Sequence, residues 1–238
     1  MYYLKNYLFL ASFVFIFLVT SCGSSEIGES KDVNQATIYQ DYKIVYEQGE
    51  DDDQVEIWSQ FRFAGDDGTT LVLTKPSSIT FDGQNIKVDS NEFSGAFYRL
   101  QVPVNSFFGK HRFVFTDIDK NKFVNEFYFD SLSLAALPVT ASKTQPLNIQ
   151  FETTPLTGDD YIELAAINTD SSFSIKHLAS EVGNIISIPV SELQRQKGKK
   201  LKLEVMVCRK IPLQQSTKEG GQLVIYYSLK PVETMLTE

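Results

Sequence analysis

The sequence predicts an all-β protein built from packed antiparallel sheets. Three observations lead there. Short stretches in which apolar and polar residues alternate recur along the chain, separated by Gly, Asp and Pro turns. Their spacing is roughly 8–12 residues, the rhythm of a β-sandwich. After the first twenty-odd residues, no stretch longer than a turn or two repeats apolar residues at helical spacing.

The elements follow in order. From Ala36 the period becomes two: Tyr42, Ile44 and Tyr46 share a face opposite Asp41, Lys43 and Glu47. An acidic turn, Gly49-Glu50-Asp51-Asp52-Asp53, leads into Val55 to Phe63, again alternating. Gly65-Asp66-Asp67-Gly68 turns the chain into a short strand, Thr70 to Thr74. Ile79–Phe81 and Ile86–Val88 flank Asp82-Gly83, a pair suited to the positive φ angles of a tight hairpin. Ala96 to Val102 alternates, and His111–Thr116 faces Phe123–Phe129 across Asp117-Ile118-Asp119-Lys120-Asn121. In the second half, strands are expected at Leu147–Phe151, Tyr161–Ile167, Phe173–His177, Ile185–Val190, Leu201–Cys208 and Gln222–Leu229. Ser191 and Gln194 have capping-box spacing, so one helical turn is expected there.

Aromatic residues divide unevenly. Residues 36–135 hold eighteen Phe, Tyr and Trp, whereas 136–238 hold five. That contrast, with Pro138 and Pro146 among several Ser and Thr, predicts two immunoglobulin-like β-sandwich domains, 36–135 and 147–238, joined by a linker at 136–146. Residues 22–35 lack apolar periodicity and are expected to be a flexible tether.

The first twenty-two residues carry an address. Lys5 precedes an apolar run that ends in Leu18-Val19-Thr20-Ser21-Cys22. A positive start, an apolar core and small residues before a cut define a secretory signal, here residues 1–21. The run is shorter than the roughly 20 residues of a spanning helix. The ending resembles the lipobox of bacterial lipoproteins, and the overall pattern is similar to tandem immunoglobulin-like domains of Gram-negative surface lipoproteins. That resemblance implies cleavage before Cys22, lipid attachment to Cys22, and a cell-envelope location anchored in the membrane, in the outer membrane by preference.

Composition narrows the partners. The formal charge is −8, and the signal contributes only Lys5. An acidic chain lacks the Lys and Arg stripes that grip phosphate backbones, so nucleic acid is not expected. With Cys22 lipidated, Cys208 has no partner for a disulfide within the chain. Two histidines, His111 and His177, fall in different expected domains, short of the roughly three or four ligands of a zinc site. The run from Asp117 opens like a calcium loop but places Lys122 where glycine belongs and Tyr128 where glutamate belongs. Neither Gly-x-Ser-x-Gly nor a phosphate-binding Gly-x-x-x-x-Gly-Lys pattern occurs. No metal, no cofactor and no enzyme activity are therefore expected, though a carboxylate site of a hydrolase is spatial and has no sequence marker.

A binding surface is the remaining expectation. If Val55, Ile57, Phe61 and Phe63 face the core, Trp58 points outward beside Gln60 and Arg62. Phe97 likewise shares a face with Arg99 and Gln101. Trp58, Arg62, Phe97 and Arg99 are thus the candidate ligand or partner surface. Aromatics among polar neighbours suit either a protein partner, in an accessory of an envelope complex, or a cell-surface glycan. Cys208 lies on the face of Lys202 and Glu204 and is expected to be a half-buried packing residue.

Overall fold

The computed structural model describes residues 26–49, 53–152, 156, 160–168, 172–178 and 184–238. Residues 1–25, with the signal and Cys22, lie outside the described residues. So do Asp51 and Asp52 of the acidic turn.

The fold is all-β, as expected. The strands of the first half are β1 (Ile27–Glu29), β2 (Ile38–Glu47), β3 (Gln54–Phe63), β4 (Thr69–Val72), β5 (Ser78–Phe81), β6 (Gln84–Asn85), β7 (Val88–Asn91), β8 (Gly95–Pro103), β9 (Gly109–Thr116) and β10 (Lys122–Phe129). Those of the second half are β11 (Thr140–Ser142), β12 (Leu147–Gln150), β13 (Tyr161–Ile167), β14 (Ser172–Leu178), β15 (Ile185–Ile188), β16 (Lys200–Ile211), β17 (Gly221–Ser228) and β18 (Val232–Thr237). Among the described residues one short α-helix, α1 (Val190–Arg195), accompanies them.

A 12-stranded mixed sheet carries the order β1-β4-β3-β2-β17-β16-β13-β14, with β8 and β7 continuing from β3 and β18 and β11 branching from β16. A 4-stranded sheet, β10-β9-β5-β6, packs over its β2–β3 region. Alternation dictates which residues meet there. Tyr42 stacks on Phe113 with ring centroids 4.5 Å apart, and Phe61 meets Phe115 at 4.5 Å. Beside them β12 and β15 form a 2-stranded sheet. Its Leu147, Ile149, Ile186 and Ile188 belong to the same apolar core as Leu164, Leu203 and Tyr42.

At three places the backbone makes contacts that the sequence pattern did not show. The boundary at 136–146 is bridged in two ways. Strand β2 of the first half runs parallel to β17 of the second, from Gln40↔Gly221 to Glu47↔Ser228. Within the expected linker, β11 pairs with β18, and Thr234 donates to the Pro138 carbonyl (2.8 Å). A backbone ladder needs no apolar side chains, so the short β11 left no periodic trace.

Within the expected tether, β1 joins β4 in parallel from Ile27. Ser30, fully buried, accepts the Thr74 N–H (2.8 Å). At α1 the N-cap is Pro189, with no side-chain cap, so Ser191 does not start the helix. Pro189 holds the extended backbone of a cap, and the helix begins two residues earlier than the Ser-x-x-Gln spacing suggests.

Candidate binding face

Side chains of the long sheet that point away from the core form a partly open face, in which Val224 and Cys208 are themselves buried. Its register brings two transverse rows together. One runs Val224–Lys43–Trp58–Arg99 across β17, β2, β3 and β8. The other runs Tyr161–Cys208–Tyr226–Val45–Glu56–Gln101 from β13 to β8. Trp58, Tyr226, Tyr161 and Val45 are half-buried, so each leaves part of its apolar surface in water.

Trp58 sits where alternation places it. Lys43 Nζ stands 4.2 Å from its ring centroid, a cation–π contact, and also pairs with Asp41 at 3.2 Å. Phe97 lies alongside, 6.2 Å centre to centre and inclined by 21°. Phe97 is only 8% exposed, so it backs the indole and presents no ring of its own. Arg99 is exposed and pairs with Glu56 at 2.5 Å. Arg62 is spent internally: it donates to the Gly68 carbonyl (2.9 Å) and to Gln60 Oε1 (2.6 Å). Gln60, itself buried, donates in turn to the carbonyls of Ser94 and Ala96 (2.6 and 3.0 Å). Arg62 therefore positions the β7–β8 hairpin.

That hairpin carries Phe93, 93% exposed at its tip. Asn91 Oδ1 accepts the N–H groups of Phe93 and Ser94 (3.0 and 2.7 Å), which fixes the turn. Sequence reasoning missed Phe93, because an aromatic inside a polar turn carries no periodicity. It also missed Tyr161 and Tyr226, whose place beside Val45 depends on the parallel β2–β17 pairing.

The other candidate groups are engaged in structure. Asp117 is buried, and its carboxylate accepts both the N–H and the side-chain amide of Asn121 (2.8 and 2.9 Å), a hairpin turn. His111 is held at Nδ1 by Asp82 Oδ2 (2.7 Å) and at Nε2 by the Phe107 carbonyl, against the Phe107 ring. Arg209 forms a two-pronged pair with the fully buried Asp160 (2.8 and 2.7 Å), and that carboxylate holds the guanidinium above its ordinary range. Cys208 is buried, and desolvation raises its thiol above the usual range, with Lys210 opposing and Asp160 adding. Among the described residues no group of three His, Cys, Asp or Glu is placed to hold a metal ion.

The fold and face define a β-rich protein with a broad, mixed aromatic and charged sheet surface. No protein-family model and no curated protein matches the chain. Among solved structures, the mixed-linkage glucan utilization locus protein SGBP-B of Bacteroides ovatus, in complex with a mixed-linkage heptasaccharide, is similar over 84% of this chain and 60% of its own, at 9% identity and a TM-score of 0.25. A mutant of Salmonella alpha-2-macroglobulin is similar over 84% of this chain and 15% of its own, at 14% identity and a TM-score of 0.24.

Proposed function

We propose that this protein is a lipid-anchored, non-catalytic binding module of the cell envelope that docks a protein partner on the open face of its long sheet. One observation carries the reading: Trp58 of one row and Val45, Tyr226 and Tyr161 of the next are half-buried on the same sheet face, among Lys43, Glu56 and Arg99. Half-buried Trp and Tyr ringed by charge make up the centre and rim of protein interfaces, where such aromatics carry most of the binding energy. The anchor through Cys22 rests on the lipobox pattern alone.

Glycan binding is the second reading, favoured by the near-parallel planes of Trp58 and Phe97. Against it, Lys43 already covers the indole and Phe97 is buried. A sugar ring stacking there would first displace an ammonium.

The test places a photo-crosslinking residue at Val45 in the full chain, in its native membranes. The expected outcome is one defined protein adduct that disappears with Trp58→Ala. Retention on oligosaccharides that needs Trp58, without a protein adduct, would replace this reading with the glycan one. For the anchor, the measurement is the mass of the N-terminal peptide: an acylated peptide starting at Cys22 is expected, and an intact Met1 would refute it.

A further inference from the structure

Away from the Trp58 face, the edge of the smaller sheet is closed in an unusual way. Strand β10 pairs with β9 on one side only. On its other side, main-chain N–H groups of alternate residues would face water, a template for strand addition. Two side chains from the loop between β16 and β17 fill those places. The Glu126 N–H donates to Gln214 Oε1 (2.5 Å), and Gln214 Nε2 donates to the Glu126 carbonyl (2.9 Å). This two-way exchange reproduces a hydrogen-bonded pair of an antiparallel ladder with a side-chain amide in place of a peptide. The Val124 N–H donates to Gln215 Oε1 (2.8 Å). Between them, Asn125 Nδ2 donates to the Gln215 carbonyl and Asn125 Oδ1 accepts the Gln215 N–H (2.9 and 3.1 Å). The loop is moored beyond by buried Thr217, whose hydroxyl donates to the Ile38 carbonyl (2.6 Å).

What would pair with that edge is written in β10 itself. Lys122, Val124 and Glu126 lie on one side of the strand, two residues apart. Antiparallel pairing of two copies centred on Val124 sets Lys122 of each opposite Glu126 of the other, with Val124 against Val124. Opposite charges directly across a ladder stabilise it, and like charges oppose it. The N–H groups of Val124 and Glu126 that the strap holds are the ones such a ladder would use.

We infer that the Gln214–Gln215 segment is a strap occupying a self-complementary strand edge, and that its release opens β10 to a second copy of this chain in antiparallel register centred on Val124.

The experiment uses the full chain in detergent with Val124→Cys as reporter, oxidised and run on a non-reducing gel. With the strap intact, no Val124→Cys-dependent dimer band is expected. Adding Gln214→Ala and Gln215→Ala should produce one, because directly opposed residues bring their Cα atoms to about 5.5 Å. Lys122→Glu on that background should remove the band, and Lys122→Glu with Glu126→Lys should restore it. A strapless chain that keeps its β spectrum and gives no band overturns the inference, as does a band indifferent to Lys122→Glu. If the strapless chain fails to fold, hydrogen exchange in the wild type decides. The amides of Val124 and Glu126 should exchange at least tenfold slower than that of Tyr128, which lies beyond the strap, and equal rates would overturn it.

Discussion

At Trp58 packing and the proposed docking role meet in one side chain. Its ring lies near Phe97 and under Lys43 and is half-buried, so truncation removes fewer contacts than it would for a fully buried aromatic. Full burial of such a ring costs roughly 3–5 kcal/mol on replacement by alanine. Trp58→Ala should therefore lower stability by about 1–2 kcal/mol, read as a fall in the urea midpoint with an unchanged slope. A loss above about 4 kcal/mol would place the indole inside the core and remove it from the proposed docking face. Cys208 gives a second check at this scale. Burial raises its thiol, so a maleimide should label it far more slowly at neutral pH than a free thiol, and denaturant should restore the rate. Parity alone made Trp58 and Cys208 legible, since strand side chains alternate whatever the tertiary context. Parity could not reveal that Phe97 is covered or that Arg62 is spent on Gln60 and Gly68, because those facts depend on which loop comes near. Ser59 and Gln40, both buried at inward positions, interrupt the apolar pattern for reasons no local rule supplies.

Among the elements, the β5–β6 hairpin shows most directly how sequence becomes structure. Asp82 and Gly83 both take positive φ (49° and 85°), as a two-residue turn matching strand twist requires. Asp82 then does a second job. Its carboxylate accepts the Arg112 N–H (2.9 Å) and meets His111 Nδ1, clasping the turn to β9. Asp82→Ala loses both contacts and puts a Cβ residue without a polar side chain in the left-handed region. The expected cost is about 2–3 kcal/mol, with Asp82→Asn costing less because asparagine tolerates that conformation. Equal losses for the two variants, by thermal melts, would show that the left-handed conformation at position 82 does not set the difference. Gly95 sets a similar constraint for β8. At φ 68° its missing Cβ would stand 2.2 Å from Thr70 Oγ1, and that hydroxyl accepts the Ala96 N–H and donates to the Glu26 carbonyl. Elements with such turns, or with long alternation as in β3 and β16, were legible from sequence, although the arm after Asp82-Gly83 is Gln84–Asn85 and not the expected Ile86–Val88, whose Val88 opens β7. Strands β1, β11 and β18 were not: they are short or weakly patterned, and partners distant in sequence hold them by their backbones.

On the scale of the whole molecule, burial of tyrosines makes stability sensitive to alkali. Tyr42, Tyr46, Tyr98, Tyr226 and Tyr227 all have hydroxyls raised above the ordinary value of 10.0, with desolvation as the first cause. A raised acid stays protonated when folded but ionises when unfolded. Its contribution is thus complete below about pH 10 and declines above it, at about 1.4 kcal/mol per pH unit for a fully buried group such as Tyr42. Midpoints in urea should hold to pH 9 and then fall, and a flat profile to pH 11 would contradict the burial. The connection between the two halves offers the sharper test. The aromatic count pointed to separate cores, because composition reports what each segment contains and not what it pairs with. The β2–β17 ladder joins them through main-chain bonds at the centre of the long sheet, and Tyr46 meets Tyr227 at 4.9 Å across it. Unfolding residues 147–238 would strip β2 of one neighbour and expose Ile44 and Tyr46, both buried. A shared ladder and shared core couple the halves, so heat should unfold them in one transition with equal calorimetric and van't Hoff enthalpies. Two resolved transitions, or a fragment 147–238 that folds alone with the parent's melting temperature, would show that the ladder is a weak seam between independent units.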